Sequence, residues 1–382
     1  MRNLSRALLL AVTTLGLAAP GLAVDLFVTR YDDPVPGGCD NLGPHATWDC
    51  SLREAVIASV ALETDDRIFL SAGTYELTRA GADEDAGLTG DLDIEGNLEI
   101  LGPGAPMTVI DANGLDRIFD VDDGSPPGID QVLISGVTLT GGAAPTAGGH
   151  AVSVGGADLT IERCEIHGND GTNNHTVRAS LFASLTVRES TIRDNAGGGV
   201  LISQASGVLI NTTISNNVNT ELTVSGDATV LCQHCTVRDD EAGDEINLVA
   251  GTSILQLASS VVIGDCVVAA GNQIDSLGGN LESSGATCDL GSGDLENVAS
   301  HGLGALGWNG GPTTTHVPGV TSPALGLATS LFCAPSDQRG ATRDAESCDA
   351  GSVERSIVRP PIPLFADGFL QADNEAWSAT LP

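Results

Sequence analysis

Three groups of side chains have the types and spacing to do chemistry. Arg163, Arg188 and Arg193 each stand beside a carboxylate, Glu162, Glu189 or Asp194. An arginine stripped of its proton can abstract a proton from a sugar ring when calcium on clustered carboxylates acidifies it. Arginine resists deprotonation more than any other side chain, so adjacent carboxylates favour an ion-paired ladder instead. The second group is the acidic run Asp83, Glu84 and Asp85, followed by Asp91 and Asp93. Carboxylate oxygens are hard ligands suited to calcium, and no other cofactor is expected. The Asp-x-Asp-x-Asp-Gly loop is absent, which leaves a solvated acidic loop as the competing reading. The third is Cys232-Gln-His-Cys235, half of a zinc site whose other half is missing.

Other chemistry is excluded by what is missing. All 16 basic residues are arginines, so Schiff-base and P-loop mechanisms have no lysine to use. No Gly-x-Ser-x-Gly elbow, zincin helix, Gly-His-Gly or Arg-x-Lys occurs. With 50 acidic residues and a net charge of −34, the chain offers no basic footprint for nucleic acid and repels polyanions. Aromatics make up only 3% beside 48 glycines, a composition that suits thin repeating layers of Val, Ile, Leu and Ala.

These groups sit on a chain with an export signature. Arg2 and Arg6, the apolar run of residues 7–19 and Gly21-Leu22-Ala23 read as a signal peptide cleaved after Ala23. No later stretch approaches the roughly 20 apolar residues of a spanning helix. A secreted or bacterial cell-surface location follows, and there disulfides are permitted. Three couples bracket turn-rich loops and are read as local pairs: Cys39–Cys50, Cys266–Cys288 and Cys333–Cys348. The states of Cys232 and Cys235 stay open.

Ser51-Leu-Arg-Glu54 is a capping box that opens one short helix. Beyond Asp91 helical periodicity gives way to short apolar alternations separated by Gly, Asn, Asp and Pro. A phrase then recurs with anchors at Leu139, Ile166, Ile192, Ile214, Val237 and Val262, spaced by 27, 26, 22, 23 and 25 residues. A period of about 24 residues with β-type content signifies a solenoid. The fold read from it is all-β, a right-handed parallel β-helix of roughly ten coils, with an N-terminal capping helix and a disulfide-stapled C-terminal cap. Asn169, Asn195 and Asn217 recur at one turn, where asparagine tolerates left-handed backbone. Cys164 aligns with Ser190, Thr212 and Cys235, three coils or roughly 14 Å from Cys235 at about 4.8 Å per coil, and is a buried free thiol. The divisions are 1–23 signal, 24–80 cap and first coil, 81–300 β-helix, 301–358 C-terminal cap, and 359–382 Pro-rich linker and tail.

Several phrases resemble a group of secreted bacterial proteins. Cys50-Ser-Leu-Arg-Glu-Ala55 resembles the motif of the CSLREA domain, and Gly90-Asp-Leu-Asp-Ile94 with Val109-Ile-Asp111 resembles its first coils. Asn309-Gly-Gly-Pro-Thr-Thr-Thr-His316, Asp337-Gln-Arg-Gly340 and Cys348-Asp-Ala-Gly351 are similar to the choice-of-anchor Q domain. Ile166-His-Gly-Asn169 echoes the repeats of polymorphic outer-membrane proteins. Leu364-Phe-Ala-Asp-Gly-Phe369 resembles a tail carried by exported proteobacterial proteins. The resemblance implies an exported β-helix.

The leading functional expectation is a non-catalytic surface for extracellular binding or adhesion, with a glycan or cell-surface partner. The alternative is a calcium-dependent polysaccharide lyase or glycosidase. A rigid spacer is the third.

Overall fold

A computed structural model describes residues 23–39, 49–62, 64–81, 85–122, 130–144, 148–170, 174–239 and 244–355. The signal segment before Ala23, Asp83, Glu84 and the tail from 356 lie outside these residues. The chain winds into a right-handed parallel β-helix with three sheets of ten, eight and ten strands. One coil runs through Asp158–Glu162 in sheet A, Glu165–His167 in sheet B and His175–Ser180 in sheet C. It re-enters sheet A at Ser184–Arg188. Every strand pairs in parallel with the equivalent strand one coil away.

Side-chain alternation sets this arrangement. In Asp158–Glu162 the residues Leu159 and Ile161 point inward while Asp158, Thr160 and Glu162 face out. Sheet B closes the stack: Leu139, Ile166, Ile192, Ile214, Val237 and Val262 are successive register partners, each fully buried. A one-residue slip would turn this whole set outward, so the register is firmly specified.

The asparagines do something other than adopt the left-handed conformation. That backbone belongs to the preceding residues Gly168, Asp194 and Asn216 (φ 67°, 50° and 60°). The asparagine side chains instead form a buried ladder. Asn169 Nδ2 donates to Asn195 Oδ1 at 2.9 Å and Asn195 Nδ2 to Asn217 Oδ1 at 2.7 Å. The ladder ends on Glu221, whose carboxyl accepts from Asn217.

The helix Leu52–Leu62 packs against Asp66–Phe69 and Leu92–Glu95. Its capping box is reciprocal: Glu54 N donates to Ser51 Oγ and Ser51 N to Glu54 Oε2. Buried Arg53 forks onto Asp33 and donates to the carbonyls of Gly87, Gly90 and Asp91. One guanidinium thus joins the N-terminal segment, the helix and the loop that enters sheet C.

Residues 301–355 cover more of the β-helix than its last coils. They pack against Val261, Ile263 and Leu281 near the last coils, and then run back along the outside of sheet B as far as Glu165. Sheet B faces out with short hydroxyl side chains that need partners once water is excluded. Gln338 supplies them. Its Nε2 donates to Thr191 Oγ1 at 2.7 Å and Ser190 O at 3.1 Å, and its Oε1 accepts from Thr213 Oγ1 at 2.6 Å. Thr314 covers Glu165 through its backbone N and its Oγ1.

Candidate functional site

Sheet A keeps its outer face open. Across its first coils the outward positions pair in register, from Arg67 to Glu99, Leu133, Thr160 and Thr186. Beside this row runs a second one of Asn97, Gln131, Asp158 and Ser184, at the corner where sheet C turns into sheet A. Along them lies an open trough of about 540 Å³, whose lining includes Arg188. Most side chains along it are hydrogen-bonding groups, with Leu133 an apolar step in the first row, and they are spaced by the coil repeat of about 4.8 Å. Asn97 is held in place: its Nδ2 donates to Asp65 Oδ1 at 2.7 Å, and its Oδ1 accepts from Gln131 N at 2.7 Å. Beyond Thr186 the row turns apolar with Val208 and Leu231, which ends the polar tract.

The trough is acidic. It is lined by Asp65, Asp66, Glu99 and Asp158 against only Arg67 and Arg188. Both guanidiniums are already engaged, Arg67 with Asp25 at 2.7 Å and Arg188 with Glu162 at 3.1 Å. At the far end Phe27 and Phe69 stack with ring centroids 5.2 Å apart, and Arg67 lies over the Phe69 ring.

Of the arginines named from sequence, Arg163 and Arg188 meet on Glu162, while Arg193 stands apart. Arg163 occupies the corner between sheets A and B in left-handed backbone (φ 52°), Arg188 ends a sheet A strand, and Arg193 belongs to sheet B. Arg163 pairs with Glu162 and Glu189, and Arg193 with Glu165 and Asp194. Burial opposes the charge on Arg163 and Arg193, but the surrounding carboxylates outweigh it and hold both above the ordinary value. Neither is poised to act as a base.

The acidic residues gather elsewhere. Asp91, Asp93 and Asp120 on sheet C bring carboxylate oxygens within 4.8 Å of one another. Arg117 bridges two of them, at 2.7 Å from Asp91 and 3.0 Å from Asp120. Burial, with Asp116 and Asp93 adding, pushes the Asp91 carboxyl up to about 7 despite Arg117. Three hard oxygen donors with excess negative charge could bind a metal ion. Asp85 is exposed near this cluster and acts on Asp120. Asp120 was missed in the sequence. Its signal is register, since Phe119-x-Val121 stacks on Leu92-x-Ile94 and sets Asp120 over Asp93.

Above Arg117 along the rod come His150 and His175, at equivalent points of the next two coils. Burial lowers both, His175 to about 4, with Arg178 and His150 adding. The His175 ring meets Thr223 Oγ1 at 2.8 Å.

The cysteines pair as Cys39–Cys50, Cys266–Cys288, Cys333–Cys348 and Cys232–Cys235. The last pair is buried inside the stack, so the half zinc site is spent on a disulfide. Cys164 is buried and free, and burial raises its thiol to about 12. Among the described residues no helix is long and apolar enough to cross a membrane.

Three parallel sheets wound coil on coil define the class, a right-handed parallel β-helix. The family model described as right handed beta helix region matches residues 128–293. Among solved structures the chain is similar to pectate lyase Pel9A, at 13% identity and a TM-score of 0.50, over 88% of this chain and 97% of that one. It is also similar to the A-module of the mannuronan C-5 epimerase AlgE6 of Azotobacter vinelandii, at 15% identity and a TM-score of 0.28, over 72% and 96% of the two chains. Pectin methylesterase from carrot gives 12% identity and a TM-score of 0.33, over 74% and 88%. At such identities the likeness is one of fold. No curated protein sequence matches the chain.

Proposed function

We propose that this chain is an exported, non-catalytic β-helix that binds an extracellular glycan along the outer face of sheet A. The observation that carries the proposal is the open trough of about 540 Å³, with polar side chains repeated coil by coil. An extended saccharide presents hydroxyls at a comparable repeat, and a preformed row of donors and acceptors binds it at small entropic cost. Signal cleavage after Ala23 and a cell-surface or released destination belong to the same proposal. The disulfides fit an oxidising compartment.

A second reading, calcium-dependent cleavage of a polysaccharide, is favoured by the Asp91, Asp93 and Asp120 cluster. Calcium there would be held by these three carboxylates and would polarise or bridge acidic sugars. The cluster lies on sheet C, away from Arg163 and Arg188 at or beside sheet A, and the arginine that does reach it, Arg117, is ion-paired with Asp91 and Asp120. An arginine held by two carboxylates stays protonated, which favours binding without turnover. Purified protein should be tested against neutral and acidic polysaccharides, with calcium and with a chelator, for retention and for new reducing or unsaturated ends. Binding without product is expected. Calcium-dependent product that disappears in Asp93→Asn would overturn the non-catalytic reading.

A further inference from the structure

The corner between sheets C and A carries an unusual tip. Leu181 and Phe182 both adopt left-handed backbone, with φ 55° and 68°. Two successive left-handed residues recur at this corner as Gly226-Asp227 and Ala250-Gly251, each with a glycine to relieve the crowding. Leu181-Phe182 has none. Bulky side chains are disfavoured in this region, where Asn-Gly is the preferred pair. Nor does packing compensate: Phe182 is 89% exposed and Leu181 62%. In a chain with 3% aromatics, one of them thus stands in water on disfavoured backbone. Such a position carries a local cost in the free protein and points to a use elsewhere.

Its surroundings say which use. Phe182 lies two residues before Ser184, within about 7 Å along the backbone, and Ser184 belongs to the row that walls the trough along this same corner. The corner is rigid there, since Phe182 N donates to Gln204 O at 2.8 Å and Ala183 N to Ser180 O at 3.0 Å. We infer that Phe182, flanked by Leu181, is the stacking platform at the rim of the trough, and that its ligand is a neutral polysaccharide. This rests on the glycan-binding reading and deepens it. A hexose has a C–H face whose weakly positive hydrogens match the negative face of a phenyl ring, while its hydroxyls suit Gln131, Asp158, Thr160 and Ser184. The charge pattern chooses among glycans. With Asp65, Glu99 and Asp158 at its surface and both guanidiniums already paired, the trough repels uronate chains and accepts uncharged ones.

The test compares two variants of the full chain for binding to a mannan, a β-glucan, a galactan, a chitin oligomer and polygalacturonate, and for thermal stability. Leu181→Asn/Phe182→Gly installs the residues this turn prefers. It should raise Tm by about 2 °C and weaken binding to a neutral polymer about tenfold. Phe182→Trp should keep or tighten binding. Asp158→Ala/Thr186→Ala should weaken the same binding without raising Tm. If the trough variant loses binding and the tip variant does not, the platform is wrong and the trough stands. If neither loses it, the trough reading fails as well. Preference for polygalacturonate would overturn the neutral class. A tip variant that alters only self-association or adsorption to phosphatidylcholine vesicles would make the tip a protein or lipid contact, and this inference false.

Discussion

Sheets A and B run along the same coils and both face outward with threonine, serine and other polar side chains, yet their outer faces end in different environments. On sheet B the column Glu165, Thr191, Thr213 and Thr236 is at most 2% exposed. Gln338, Thr314 and Ser352 answer its hydroxyls and carboxylate one by one. On sheet A the matching row through Thr160 and Thr186 stays in water. Hydroxyls on a β-helix face need a protein partner only where water is excluded. The protein supplies that partner itself on sheet B and leaves sheet A to solvent, the face on which recognition is proposed.

The largest expected effect compares a polar-to-apolar change on each side. Gln338→Leu removes the amide that satisfies Ser190, Thr191, Thr213, Thr313 and Thr314 and leaves buried groups unmet. It should cost about 3 kcal/mol in urea unfolding. Thr186→Val on sheet A should change stability by less than about 0.5 kcal/mol, because its hydroxyl has water and valine suits a strand. Equal costs on the two faces would erase the distinction.

Much of this was readable from the residues, and the limits are instructive. The sheet B anchors were legible because buried Leu, Ile and Val recur at the coil period and nothing else produces that spacing. The trough was not, since it is assembled from outward positions of several coils, whose alignment depends on register rather than on any local motif. Gln338 was equally hidden: its partners on the β-helix lie 125 to 148 residues away in sequence. The acidic candidates were legible only in part, because Asp120 joins Asp91 and Asp93 across one coil. The states of Cys232 and Cys235 stay open in the sequence because spacing alone does not show that both are buried beside each other.

A smaller effect concerns the third face. Burial, with Asp239 and Asp265 adding, pushes the Glu245 carboxyl up to about 8, against an ordinary 4.5. A carboxyl raised on folding contributes stability that is full below its unfolded value and is lost as pH rises through the folded one. Buried His175 and His234, lowered to about 4 and about 3, act in the opposite sense and only below 6.5. Between pH 6.5 and 8 the carboxyl term therefore acts without them, and Tm should fall as pH rises. The slope from Glu245 is bounded by ~1.4 kcal/mol per pH unit. Glu245→Gln should flatten it in part, since Glu221 is also raised by burial. An unchanged slope would mean that Glu245 is ionised in the folded protein.

Hydrogen exchange with and without a saturating neutral oligosaccharide tests the central claim most directly, because ligand binding suppresses local opening where it occurs. Slowing is predicted along Leu98–Leu101, Gln131–Ser135, Asp158–Glu162 and Ser184–Arg188, with sheet B unchanged under its own covering segment. Slowing confined to Leu92–Glu95 and Phe119–Asp122 would instead put the ligand on the acidic cluster of sheet C and contradict the account.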